Sequence, residues 1–317
     1  MTESTGGSSA NQPARWGTGA CLAIALLMLA ALDPLPLVLI PLALLLLATP
    51  VERRWRWIAG GVLLGMLGLA AGAGSIGGFS RAWALLVGSV FLAITFWRPR
   101  WPVLKRSLTA LAAAGSLVAA GLGISGAWRT VDQSVRQYLA EVSSRAFAAA
   151  RESAPEAGFL QELASAAGQV AQLQAELFPA LVALQTLAAL GLTAWLVSSF
   201  LGHREPRMTL RPWREFRFND QLVWVLIAGL ALVLLPLGEG AARVGYNAVF
   251  FMAVLYALRG IGVFLFVSVG ASRLVMLIFG ALAAIFLYPL ILGAAILLGL
   301  GDTWLDVRGR AIAASGS

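Results

Sequence analysis

Gly245-Tyr246-Asn247-Ala248-Val249-Phe250-Phe251-Met252-Ala253-Val254-Leu255-Tyr256-Ala257-Leu258-Arg259-Gly260-Ile261-Gly262-Val263-Phe264-Leu265-Phe266-Val267-Ser268 is an almost wholly apolar run with one charged residue, Arg259. An α-helix needs about 20 apolar residues to cross roughly 30 Å of hydrocarbon, and this stretch supplies them. Comparable runs occupy 57–75, 82–98, 107–128, 179–201, 221–238 and 274–300. The 317 residues are 59% hydrophobic and 12% charged, about half the charged fraction of a soluble domain. Inside a bilayer only helices and closed barrels satisfy their own backbone. A barrel strand would alternate apolar and polar residues, and these runs do not. The sequence therefore reads as an all-α, polytopic transmembrane helix bundle.

The span count depends on the first apolar stretch. Asp33-Pro34-Leu35-Pro36 interrupts it, and two prolines stop a helix. Two short segments result, 18–32 and 36–50, which make either two crossings or a re-entrant hairpin. The total is eight or nine spans. Arginines then orient them. Arg53, Arg54 and Arg56 follow the second segment, Arg98, Arg100, Lys105 and Arg106 the fourth, and Arg204, Arg207, Arg211, Arg214 and Arg217 the sixth. All three loops share a side if every segment crosses, and the positive-inside rule makes that side cytoplasmic. The expectation is a multi-pass protein of a bacterial cytoplasmic (inner) membrane.

Five regions follow along the chain: a Ser/Gly-rich tail at 1–17 read as disordered, transmembrane helices at 18–128, amphipathic extramembrane helices at 129–178, further transmembrane helices at 179–300, and a tail at 301–317. Val131, Val135, Tyr138 and Val142 recur at helical spacing in the third region, where Thr130 and Gln133 resemble a capping box. Pro155 and Glu156 open its second helix, along which Phe159, Leu163, Ala166, Val170, Leu173 and Leu177 form an apolar series. This pair is expected to pack on the membrane surface or to cover a cavity. No internal repeat is visible.

Little catalytic chemistry is available. The net charge of +8 is spread over loops beside apolar runs, with no soluble basic domain to hold nucleic acid. Gly72-Ala73-Gly74-Ser75-Ile76-Gly77 spells a dinucleotide fingerprint, but that motif needs a strand before it and an acid about 20 residues on. Gly61 with Gly65 and Gly68 with Gly72 instead suit close helix packing. His203 is the single histidine, Cys21 the single cysteine and Lys105 the single lysine. A His-based metal site and a cysteine site fail on these counts, and Leu104 before Lys105 excludes a phosphate-binding lysine loop. No enzyme activity and no cofactor or metal is expected.

Charges at membrane depth are better pointers, because burying them in hydrocarbon is costly. Arg259 needs a carboxylate, carbonyls or water, and Asp33 and Glu239 are candidate partners. Alternatively Gly260 breaks the helix and Arg259 snorkels. Asn247 and Tyr246 open the same span and could line a polar pocket. Arg259, Asn247, Tyr246 and Asp33 are thus the candidate ligand-binding residues. After the last span, Asp302 and Asp306 stand four residues apart with Arg308 nearby, as a structural clamp or as a polar site.

The C-terminal part is similar to the YybS-like family of uncharacterised bacterial integral membrane proteins. The resemblance rests on Pro212-Trp213-Arg214-Glu215-Phe216-Arg217-Phe218-Asn219 with Leu222-Val223-Trp224, on Asn247 with Tyr256-Ala257-Leu258-Arg259-Gly260-Ile261-Gly262, and on Gly299-Leu300-Gly301-Asp302-Thr303-Trp304-Leu305-Asp306-Val307-Arg308. The Asp33-Pro34-Leu35-Pro36 turn resembles the start of that family. More distantly the family resembles the substrate-binding subunits of energy-coupling-factor transporters. The resemblance implies a transporter-like subunit that binds a small solute or lipid within the bundle and takes energy from a membrane-protein partner. A scaffold or assembly protein acting through helix–helix contacts is the alternative.

Overall fold

The computed structural model describes residues 23–27, 32–48, 54–71, 76–153, 160–201, 213–267, 288–306 and 310. Among them every regular element is helical: α1 Pro34–Ala48, α2 Arg54–Ala71, α3 Ile76–Trp97, α4 Val103–Ser125, α5 Trp128–Ser153, α6 Leu160–Glu176, α7 Phe178–Leu201, α8 Val223–Leu234, α9 Glu239–Val267 and α10 Tyr288–Leu305. Four of these contain stretches long and apolar enough to cross a membrane: Gly77–Trp97, Val103–Ser125, Phe178–Ser199 and Glu239–Val267. Shorter apolar helices lie at Pro34–Ala48, Ile58–Leu69, Asp220–Leu234 and Pro289–Leu305. The expected run 221–238 shortens to α8 because Pro236 and Gly238, at φ +95°, turn the chain and let α9 begin at Glu239. Only the later part of the expected 274–300 run, from Tyr288, is described.

The described helices fall into two compact units, one within 23–210 and the other within 211–317. Helix α7 packs with α1 and α4 in the first unit.

In the first unit α3 is the central helix, packed against α1, α2 and α4. Its Ala84, Leu86, Val87, Phe91 and Leu92 are buried among α1 and α7 residues such as Leu37, Leu45, Leu190 and Ala194. Gly61, Gly65 and Gly68 sit where α2 meets Ser89, Leu86 and Ala82 of α3; a β-carbon on Gly65 would lie 2.9 Å from the Leu86 Cα. Three of the four glycines read as packing residues therefore have that geometry, and Gly72 lies outside the described residues. The Gly72–Gly77 motif joins two helices rather than a strand and a helix.

The break at Asp33-Pro34 is held by a side chain from another helix. Gln185 of α7 is buried, and its amide oxygen accepts from the Leu32 N–H at 3.1 Å while its amide nitrogen donates to the Leu32 carbonyl at 2.7 Å. One amide thus satisfies both backbone groups that the break strands. Asp33 accepts from the Leu35 N–H, a side-chain cap for the start of α1. Nearby, the Trp83 indole donates to Thr186 at 2.9 Å.

The amphipathic region is the helical pair α5 and α6, which pack mainly on each other. Val131, Val135, Tyr138 and Leu139 contribute to the apolar core, whereas Val142, Val170 and Leu173 are exposed. Thr130 is not an N-cap: α5 starts at Trp128, after a left-handed Gly126, and the Thr130 carbonyl accepts from the Ser134 hydroxyl inside the first turns. Pro155, Glu156, Cys21 and His203 lie outside the described residues.

Candidate functional site

The site is built in the second unit, where α9 packs against both α8 and α10. Its geometry begins with small residues. A β-carbon added to Gly260 would overlap the Ala295 carbonyl, and one added to Gly299 would overlap the Tyr256 carbonyl and lie 2.9 Å from the Gly260 nitrogen. Gly260 thus faces Ala295 while Tyr256 faces Gly299, so α9 and α10 run antiparallel with their backbones in contact. The same occurs between α8 and α9, where a β-carbon on Gly245 would lie 2.7 Å from the Gly229 carbonyl oxygen.

This close approach brings Arg259 of α9 beside Asp302, near the end of α10. Arg259 is 2% exposed and Asp302 fully buried. The Arg259 Nε donates to Asp302 Oδ2 at 3.0 Å and Nη2 donates to the Asp302 backbone carbonyl at 3.2 Å. The remaining nitrogen, Nη1, donates at 2.6 Å to Asp220, whose side chain is 61% exposed. Each guanidinium nitrogen has an acceptor, as a buried arginine requires.

A second arginine completes the network. Arg217 pairs with Asp306 and stands 3.9 Å from Asp302 Oδ1. Asp306 follows the last residue of α10 at φ +41°, a left-handed position that aspartate tolerates better than most residues. The segment carrying Arg217 and Asp220 lies across α9. There Trp213 stacks on Phe216 at 4.9 Å, Phe218 meets Tyr256 edge-on at 5.1 Å, and the Arg259 guanidinium lies 5.4 Å above the Phe218 ring. Asn219 accepts from the Gln221 N–H and opens the short 3-10 turn that positions Asp220.

Two of the expected features are therefore corrected. Helix α9 runs unbroken through Gly260, and Arg259 does not snorkel. The partners of Arg259 are Asp302 and Asp220. Glu239 belongs to the first turn of α9, 20 residues and about 30 Å of helix away. Asp33 belongs to the other unit, where it caps α1.

The remaining candidates scatter. Asn247 donates to the Arg243 carbonyl of its own helix and Tyr246 is exposed; both sit three turns or more from Arg259, about 18 Å along the axis. Asp302 and Asp306 are engaged by Arg259 and Arg217, and Arg308 lies outside the described residues. Asp220 was the residue the motifs did not reveal. Its signal was the Asn219-Asp220 pair directly before an apolar run, a helix-start pattern that places a carboxylate at a boundary.

Comparison with known proteins agrees with the apolar helices. The family described as "Predicted membrane protein (DUF2232)" matches residues 20–303. No curated protein and no solved structure matches the chain. With that family match covering most of its length, the chain belongs to the DUF2232 family of membrane proteins.

Proposed function

We propose that this protein is a non-enzymatic, transporter-like membrane subunit whose 211–317 unit binds a small anionic solute at Arg259. One observation carries the reading: the ion pair has a buried arm and an exposed arm. Asp302 neutralises Arg259 inside the helix pair, while Asp220 reaches the same guanidinium from a largely exposed position. Nη1 needs an acceptor, and the one it has, Asp220, is the partner that lies largely in the open. A carboxylate or phosphate solute offers the same oxygens as Asp220 and takes its place on Nη1. Displacing Asp220 removes one contact of the 213–222 segment with α9, while the Phe218–Tyr256 ring contact and the Arg217–Asp306 pair keep the segment in place. Resemblance to the YybS-like family, and through it to energy-coupling-factor substrate-binding subunits, supports the same class and a partner that supplies energy. The multi-pass arrangement in a bacterial cytoplasmic membrane, with the arginine-rich loops inside, belongs to this proposal.

Native mass spectrometry of protein purified from its membrane tests it. The expected result is a co-purifying small acid that is lost from Arg259→Ala. A spectrum containing protein and phospholipid alone, or an acid retained by Arg259→Ala, removes Arg259 from a binding role. The scaffold alternative has its own observation: among the described residues most of α4 is uncovered, and a β-carbon added at Gly115 or Gly123 would meet nothing within 4 Å. A stoichiometric membrane partner crosslinked through α4, without any bound solute, favours that reading instead.

A further inference from the structure

The turn between α3 and α4 is a second charged feature, unrelated to Arg259. Both helices it joins are long and apolar enough to cross a membrane, so the turn stands at the level where one leaflet places its headgroups. From Arg53 to Val131 the chain contains no Asp or Glu. Within this acid-free stretch, Arg98, Arg100, Lys105 and Arg106 fall close together.

The cations are arranged on indole rings. Arg98 lies 4.9 Å from the Trp97 ring and 5.6 Å from the Trp101 ring, and the Lys105 ammonium lies 4.3 Å from Trp101. Trp101 therefore carries a cation from each of two neighbouring positions, and Trp97 is 68% exposed. Stacking on an indole holds a cation without neutralising it. Arg98, Arg100 and Lys105 are exposed, and no carboxylate forms a salt bridge with any of them among the described residues. Arg106 is buried below, where its guanidinium donates to the Pro99 carbonyl. The Trp101 N–H donates to the Arg98 carbonyl at 3.1 Å. These bonds fix the turn, so the three exposed cations are presented at low entropic cost.

We propose that Arg98, Arg100 and Lys105, ordered by Trp97 and Trp101, form a binding site for the phosphodiester headgroup of an anionic phospholipid. The chemistry a phosphodiester needs is present: a guanidinium fork, a point ammonium and aromatic rings that favour the interfacial layer. Lipid is the source favoured over free phosphate, because the flanking helices present apolar surface for acyl chains. Leu117 on α4 and Trp97 at the end of α3 are both exposed.

The test is native mass spectrometry of the full chain in detergent, titrated with equimolar phosphatidylglycerol and phosphatidylcholine. Wild type retains phosphatidylglycerol in preference. A cation near a headgroup is worth roughly five-fold in binding, so Arg98→Gln/Arg100→Gln/Lys105→Gln lowers that preference on the order of 100-fold. These side chains are exposed, and an unchanged melting temperature in phosphatidylcholine alone shows that the variant is folded. Removing equal charge from α5, as Arg129→Gln/Arg136→Gln/Arg145→Gln, leaves the preference intact. The proposal is overturned if the first variant keeps its preference or the second loses it equally. Displacement of the lipid by millimolar inorganic phosphate overturns the lipid assignment.

Discussion

Neutralising Asp302 is the sharpest perturbation of the second unit. In Asp302→Asn the side-chain oxygen still accepts from the Arg259 Nε, and the backbone carbonyl bonded to Nη2 is untouched. What is lost is the buried negative charge. Removing one partner of a buried ion pair costs about 3–5 kcal/mol. Asp220, at 2.6 Å from Nη1, compensates in part. Its exposure limits that contribution to about 1 kcal/mol, so the expected loss is about 2–4 kcal/mol. Asp220→Asn alone should cost about 1 kcal/mol or less. The charge-free pair Arg259→Met/Asp302→Leu removes the desolvation penalty together with the attraction and should lie within about 1 kcal/mol of wild type, or above it. Reversible unfolding in mixed detergent micelles, followed by circular dichroism, measures all three. An Asp302→Asn variant as stable as wild type would show that the buried charge contributes nothing to stability. A charge-free variant as damaged as the single one would show that the loss does not come from a buried charge left unpaired.

Other consequences follow from packing and from backbone satisfaction. Gly260→Ala and Gly299→Ala each force α9 and α10 apart and should cost about 1–3 kcal/mol or more. Gly229→Ala, whose β-carbon would meet Ala248 Cβ at 3.0 Å, should cost less, and equal losses by thermal unfolding would contradict the backbone contact. Gln185→Ala strands the Leu32 N–H and carbonyl; at about 1–3 kcal/mol for each buried group, it should be among the most damaging single changes in the first unit. Hydrogen exchange at Leu32 should rise in that variant and stay slow in wild type. Gly238→Ala places a β-carbon at φ +95° and should lower the melting temperature, whereas Gly240→Ala, with open space and no positive φ, should not.

Much of the helical layout was legible because hydrocarbon demands long apolar runs, and prolines and arginines punctuate them. The boundaries were less so. Pro236 and Gly238 moved the start of α9 back to Glu239, and the left-handed Gly126 displaced the expected cap from Thr130. Arg259 stood out as the lone charge of its run, but its partners could not be read. They depend on how closely α9 approaches α10, which is set by Gly260 and Gly299 at positions where glycine is unremarkable in a membrane helix. Gln185 was hidden for a related reason: one amide in an apolar run carries no sign that it closes a break 153 residues away. Asn247 and Tyr246 are polar and share the helix of Arg259 but not its neighbourhood.

If Asp220 occupies the place of an anionic solute on Arg259, removing its charge makes that place easier to fill. Wild type and Asp220→Asn, reconstituted in identical nanodiscs, are melted across a concentration series of small carboxylates and phosphate monoesters. Losing an internal competitor worth about 1 kcal/mol should lower the half-saturating concentration of the bound anion by roughly five-fold, with no response in Arg259→Ala. Stabilisation that is unchanged or weakened in Asp220→Asn, or no stabilisation by any anion in either protein, would mean that Asp220 holds no solute's place.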